Sequence, residues 1–209
     1  MKSDQRLEVI EMASRMFASE GIKSVRMDDI ASRAGISKRT LYEEFADKEE
    51  LVELAVRSYF GRLAQQNDKI ARESPNILVA FIEVAYHILS CAESSWRLHN
   101  TLKRFNRVMY DRIFASEAEF HHEFVDALND GVKDGYFSPR TNMELAVRML
   151  YIIGASIVHE DQRVALPEGI TPRKAFLELS INFMRGISTQ KGLEIIDKHL
   201  ESRKNSENI

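Results

Sequence analysis

Cysteine is nearly absent. Cys91 is the single thiol in 209 residues, so no disulfide can form within the chain, which suits a reducing compartment. Proline and glycine are sparse as well, four and nine respectively, and they read as punctuation at helix ends. No apolar run approaches the roughly eighteen residues that a membrane span requires. The start, MKSDQRLEVIEMASR, is amphipathic and charged and lacks the apolar block of a secretory signal. The expectation is a cytoplasmic protein with no membrane partner. Alternating β-branched runs are missing too, so the reading is helical throughout.

The usual marks of catalysis are also missing. His121 and His122 lie beside Glu119 and Glu123, but neighbouring residues on one helix point about 100° apart and do not readily share an ion. A solvated helix face accounts for them. His159-Glu160 lacks the second histidine of the H-E-x-x-H zinc pattern. There is no Gly-rich phosphate loop and no G-x-S-x-G. Cys91 has no cation close in sequence and reads as a small buried residue rather than a redox sensor. No catalytic residue, metal or cofactor is expected, and the chain is not expected to be an enzyme.

What is present is apolar content of 44%, enough for a sizeable core in one or two domains. The net charge of −3 is an average over the whole chain, whereas phosphate contact depends on a local cluster. Arg26, Arg33, Lys38, Arg39 and Lys48 supply such a cluster within one short stretch. Overall charge therefore neither favours nor opposes a nucleic-acid partner.

That stretch, MDDIASRAGISKRTLYEEF, reads as two short helices around a tight turn. Asp28 and Asp29 suit the positive end of the first helix dipole, and Ile30, Ala31 and Ala34 share an inward face. Gly35 stops that helix in a left-handed conformation, Ile36 plugs the corner, and Ser37 caps the next helix. In the second helix Leu41 and Phe45 point inward. Lys38, Arg39, Thr40 and Tyr42 are left outside. A helix that offers two cations, a hydroxyl and a phenol from its first turns is suited to a DNA major groove. An amphipathic helix precedes it, with Leu7, Ile10, Ala13, Ser14 and Phe17 on one face and Gly21 as its stop. Asp47 and Glu50 form a capping box for the helix that follows.

With these flanks the segment resembles the TetR (tetracycline-repressor-like) family of bacterial regulators. Phe17, Gly21, Asp29, Ile30, Ala31, Ala34, Gly35, Ile36, Ser37, Thr40, Leu41, Tyr42, Phe45, Lys48, Glu49 and Leu51 stand in register with the family's near-terminal pattern. Two departures concern operator choice. Arg26 replaces the usual Ser or Thr cap, and the acids Glu43 and Glu44 stand close to where the strand would lie. They would repel it or accept a cytosine amino proton. The resemblance implies an all-α fold, with an N-terminal three-helix helix-turn-helix DNA-binding domain and a C-terminal helical bundle for ligand binding and dimerisation. Candidate DNA-binding residues are Arg26, Met27, Ser37, Lys38, Arg39, Thr40, Tyr42 and Lys48, the last holding a phosphate at the start of its helix.

The expected organisation is a DNA-binding domain over 1–47, a linking helix over 48–72, an effector-binding and dimerisation domain over 73–200 and a polar, frayed tail over 201–209. Ser74-Pro75 opens one helix, and another spans 94–112 with a break near Ser94. Ser116 with Glu119 and Thr141 with Glu144 make two further capping boxes. Thr171-Pro172 starts the last long helix. If the family plan holds, the middle helices enclose an effector pocket. Its candidate lining is Phe81, Tyr86, His87, Trp96, Phe105, Met109, Tyr110, Phe120, Phe124 and Tyr151, with plain core packing as the alternative for any one of them.

Two late helices show more apolar surface than one neighbour would cover. They present Leu145, Met149, Ile153 and Ile157, then Phe176, Ser180, Phe183 and Ile187, and a small-residue patch at Gly154, Ala155 and Ser156. The preferred reading pairs them with their twofold mates as a four-helix bundle, against the alternative that they close the core of a monomer. A homodimer would place two recognition helices on the half-sites of a palindromic double-stranded operator, ~34 Å apart. The expected function is a dimeric, sequence-specific transcriptional regulator, a repressor released by a small-molecule effector. The alternative is an effector-independent DNA-binding or protein-interaction factor on the same scaffold.

Overall fold

The structure, a computed structural model, describes residues 3–114, 117–158 and 165–207. Among them are eleven helices and no strand. The chain divides into two compact units, Met1–Gln66 with Cys91–Ala115 and Asn67–Ser90 with Ser116–Ile209. No single described helix is long and apolar enough to cross a membrane.

The first unit contains α1 (Ser3–Glu20), α2 (Met27–Arg33), α3 (Lys38–Glu44), most of α4 (Lys48–Glu73), α6 (Ala92–Phe105) and α7 (Arg107–Ile113). Phe17, Ile22, Ile30, Leu41, Phe45 and Leu51 are fully buried in one core, joined by Leu98 and Leu102 of α6. Segment 91–115, expected with the effector-binding domain, thus packs on the head. Arg97 donates to the Ser19 carbonyl, and Asn106 Nδ2 donates to Glu49 Oε2 at 3.1 Å. Phe105, Met109 and Tyr110 belong to this core.

The second unit holds α5 (Ile77–Ser90), α8 (Glu117–Lys133), α9 (Met143–Val158), α10 (Pro172–Ile187), α11 (Gln190–Glu207) and the end of α4. Leu78, Ile82, Leu128, Phe137, Met143, Val147, Met184, Ile187 and Ile196 form its core. Several glycines lie inside helices and not at their ends, contrary to the sequence reading. At two of them close approach explains the choice. A Cβ on Gly131 would sit 2.6 Å from the Phe137 ring, and one on Gly192 would sit 2.4 Å from the Tyr136 carbonyl oxygen. The turn at 136–138 is thereby pressed between two helices, with Ser138 N–H donating to the Ile187 carbonyl at 2.8 Å.

Several helix boundaries differ from the sequence reading, and asparagine explains three of them. Asn76 accepts the Val79 N–H at 3.0 Å and caps α5, while Ser74 turns back to the Ile70 carbonyl and finishes α4. Asn142 caps α9 through the Leu145 N–H at 3.0 Å, where Thr141 had been expected to cap. The chain breaks at Cys91 rather than Ser94, and again at Asn106, which ends α6 and accepts the Met109 N–H at the start of α7. Asparagine equals serine as an N-cap, so the nearer side chain prevails. Ser116 and the side chains of Glu119, Phe120 and His121 lie outside the described residues, as do His159 and Glu160.

The polar tail is helical to Glu207. Arg203 donates to both Glu83 carboxylate oxygens, at 2.7 and 2.5 Å, and its guanidinium lies 3.7 Å over the Tyr86 ring. His199 Nε2 meets Glu83 Oε1 at 2.6 Å. This latch joins α11 to α5. Burial opposes ionisation of Glu83, but hydrogen bonds and charge from Arg203 and His199 outweigh it and hold the carboxyl below its ordinary value. A depressed carboxylate stabilises the fold above the ordinary carboxylate range, and that contribution disappears as the pH falls through the folded value. Glu83→Gln is expected to cost about 1–3 kcal/mol in urea unfolding at neutral pH and to speed amide exchange along α11. The difference from the unsubstituted protein should shrink under acid conditions; a pH-independent difference would contradict the latch.

Candidate nucleic-acid interface

The roll of α3 about its axis decides what it offers. Leu41 and Phe45 are fully buried, which anchors one side of the helix in the head core. Gly35 takes φ +66° and turns the chain, and Ser37 Oγ accepts the Thr40 N–H at 3.0 Å. The Thr40 hydroxyl is itself engaged with Ser37 Oγ at 2.8 Å. The opposite side then presents Lys38, Arg39 and Tyr42, all exposed. The Arg39 side chain is 88% exposed.

The cations do not stand alone. Lys38 Nζ lies 2.8 Å from Asp28 Oδ1, and that hydrogen bond and charge raise its pKa above the ordinary lysine value. Arg39 Nε–H donates to Glu43 Oε1 at 2.7 Å. Arg33 pairs with Glu20 at 3.1 Å. Arg26 is exposed and makes no ion pair among the described residues. Its guanidinium cannot cap α2, and the Asp29 carboxylate reaches back to accept the Arg26 N–H at 2.8 Å. The sequence reading missed Asp28 and Glu43 as partners of these cations. The one-turn spacing of Arg39 and Glu43 was a readable signal; the Asp28–Lys38 pair joins two helices and left none.

Three expected positions differ from the sequence reading. Met27 is 5% exposed, because the first turn of α2 rolls its side chain into the core. Glu44 faces α1, with Arg6 Nε 4.0 Å away, and so does not confront a strand. Lys48 turns inward: its ammonium donates to the Ile22 and Val25 carbonyls at 2.7 and 2.6 Å. Partial burial lowers its pKa from the ordinary lysine value, with Asp29 working the other way. Lys48 therefore ties the α1–α2 loop to the start of α4. Lys48→Met is expected to destabilise the protein by about 1–3 kcal/mol, read by thermal unfolding without DNA. An unchanged melting temperature would leave Lys48 only the phosphate role read from the sequence.

The expected pocket and interface residues are scattered. Phe81 and Phe124 stack with ring centroids 5.7 Å apart, and Phe183 lies 6.1 Å from Phe81. His87 Nδ1 meets Asn67 Oδ1 at 2.7 Å. Tyr86 borders two clefts of the second unit, about 450 and 370 Å³ in volume; the other eight expected lining residues whose side chains are described border neither. Trp96, Phe105, Met109 and Tyr110 lie in the first unit. Among the expected interface residues, Ile157, Ser180 and Ile187 are buried within their own unit, at 6%, 3% and 6% exposure. They cannot serve a second chain without unpacking. Gly154, from the small-residue patch, faces Phe176 of the same chain, to which an added Cβ would be 3.7 Å. Leu145, Met149, Tyr151, Ile152 and Ile153 of α9 are exposed.

Residues 9–55 match the family model described as bacterial regulatory proteins, tetR family. The chain is 30% identical over 155 residues to the HTH-type transcriptional repressor KstR2 of Rhodococcus jostii (strain RHA1), covering 71% of this chain and 76% of that protein. Its fold is similar to the solved structure of the ketosteroid transcriptional regulator KstR2 of Mycobacterium tuberculosis, with a TM-score of 0.56 and 24% identity over 91% of this chain and 97% of that one. It is similar also to a putative transcriptional regulator from Saccharomonospora viridis in complex with choline, with a TM-score of 0.71 and 18% identity over 90% of this chain and 100% of that one. The helix-turn-helix head, the helical remainder and these likenesses agree: the chain belongs to the TetR family and is a DNA-binding transcriptional regulator, not an enzyme.

Proposed function

We propose that this regulator is a homodimeric repressor that holds a palindromic operator with its two α3 helices and lets go when a small organic effector binds the second unit. The observation that carries the reading is the outward face of α3. Lys38, Arg39 and Tyr42 project from a helix whose other side is locked by Leu41 and Phe45. In the groove Lys38 and Arg39 meet base edges or phosphates, Tyr42 and Thr40 hold the backbone, and Arg26 adds a phosphate contact.

Dimerisation is supported by α9. Leu145, Met149, Ile152 and Ile153 recur at helical spacing on one face, with exposures of 56%, 53%, 59% and 43%. A contiguous apolar stripe of this kind marks an interface, and a twofold mate covers it with the same stripe. Repression is supported by the name of the KstR2 repressors, and effector control by the choline held in the Saccharomonospora viridis protein. In this chain the cleft lined by Tyr86, Leu89 and Leu177 has ligand-sized volume. The His87–Asn67 bond grips the end of α4, the same helix that begins at Lys48 in the head. An effector that shifts α5 thereby tilts α4 and changes the separation of the heads, so that binding and release are two states with different affinities.

Selection of bound fragments from random DNA, with and without a metabolite extract, tests the whole reading. A recovered inverted repeat that the extract displaces is the expected result. Recovery indifferent to every extract would favour the effector-independent factor. Met149→Glu with Ile153→Glu is expected to give monomers by sedimentation and to weaken binding to the two-half-site fragment by about 100-fold, while leaving the affinity for a single half-site unchanged. Dimers persisting in this variant would exclude α9 as the interface.

A further inference from the structure

Glu43 presents a puzzle on a DNA-reading helix. A carboxylate only accepts hydrogen bonds, so it repels phosphates and the acceptor edge of guanine alike. Yet it is exposed on α3 beside Arg39. We propose, resting on the reading of α3 as the recognition helix, that Glu43 is a positioning residue which holds Arg39 ready for a guanine.

Three observations carry this. First, Glu43 takes the Arg39 Nε–H at 2.7 Å, while the two terminal nitrogens of Arg39 make no hydrogen bond among the described residues. Those nitrogens form the remaining edge of a planar fork, and guanine offers the matching pair of acceptors, O6 and N7. Second, the Arg39 side chain is 88% exposed. A long chain so free would sample many rotamers, and tethering at Nε removes part of that freedom before DNA arrives. Third, the pair is close to neutral. An unpaired arginine is drawn to any phosphate; one paired with a carboxylate keeps its hydrogen-bonding geometry but loses much of that indiscriminate attraction. Asp28 does the same to Lys38 at 2.8 Å. The head therefore gives up general affinity and gains discrimination.

Glu43→Ala, Glu43→Gln, Arg39→Ala and the Arg39→Ala/Glu43→Ala double variant of the full chain would be compared on duplexes selected by the unsubstituted protein and on one unrelated duplex. Unchanged melting temperatures would establish that each variant folds. Arg39→Ala defines the guanine position. At that position Glu43→Ala is expected to lose about two- to threefold in guanine preference, and Glu43→Gln, which keeps an acceptor, to lose less. On the unrelated duplex Glu43→Ala should bind about two- to fivefold more tightly at low salt, with a steeper salt dependence. In the Arg39→Ala background the second substitution should not alter sequence preference. Glu43→Ala with its guanine preference intact would overturn the proposal. So would a preference lost at a base pair that Arg39→Ala leaves untouched, since Glu43 would then read a base itself. Failure of the unsubstituted protein to select any sequence would instead strike the recognition-helix reading.

Discussion

Two buried side chains govern everything the head can do. Leu41 on α3 and Phe45, the residue that caps its end, lie one turn apart, and both are fully buried. A helix only seven residues long has little stability of its own, so its rotation is set by which residues the core accepts. With those two inside, Lys38, Arg39 and Tyr42 have nowhere to go but out. The cap at Ser37 and the left-handed turn at Gly35 fix where the helix begins. The outward chemistry of α3 thus follows from its inward packing.

Lys48 extends that dependence to the neighbouring elements. Its ammonium holds two carbonyls of the α1–α2 loop, and the loop in turn sets where α2 starts and where Arg26 stands. Such bonds are short and charge-assisted, while partial burial lowers the lysine's pKa. A residue read from sequence as a phosphate ligand here has a prior structural task. With two of three donors committed inward, its positive charge is felt mainly through the loop it holds.

The head was legible because its signals are local. The Ser37 cap, the Gly21 and Gly35 stops and the Leu41–Phe45 pair are set by residues within one or two turns. Beyond the head the same reasoning failed wherever two local signals competed or a partner lay far away. Asn76 stands two residues from Ser74, an equally good cap, and Asn142 stands beside Thr141, a somewhat weaker one, and spacing alone does not rank such neighbours. Apolar periodicity in α10 correctly marked a buried face but could not say whose core buries it. Ser180 and Ile187 turned out to serve their own chain. The aromatics of 96–110 looked like a pocket lining because nothing in sequence reveals that Leu98 and Leu102 pack beneath α1. The Glu83–Arg203 latch spans 120 positions and was invisible for the same reason.

The modest negative charge of the whole chain, which looks unsuited to a DNA partner, finds its explanation in how the head arranges its ions. Lys38 and Arg39 each carry an acid within hydrogen-bonding distance, and Arg33 carries another. Long-range attraction falls as net local charge falls, whereas a hydrogen bond from a guanidinium to a base edge depends on short-range geometry. Pairing therefore weakens the sequence-independent part of binding more than the sequence-dependent part. A regulator must find one site among a great excess of others, and the useful quantity is the ratio of those two parts rather than the strength of either. In the proposed reading of α3 as the recognition helix, its acids are then consistent with DNA binding and shift its balance toward selectivity.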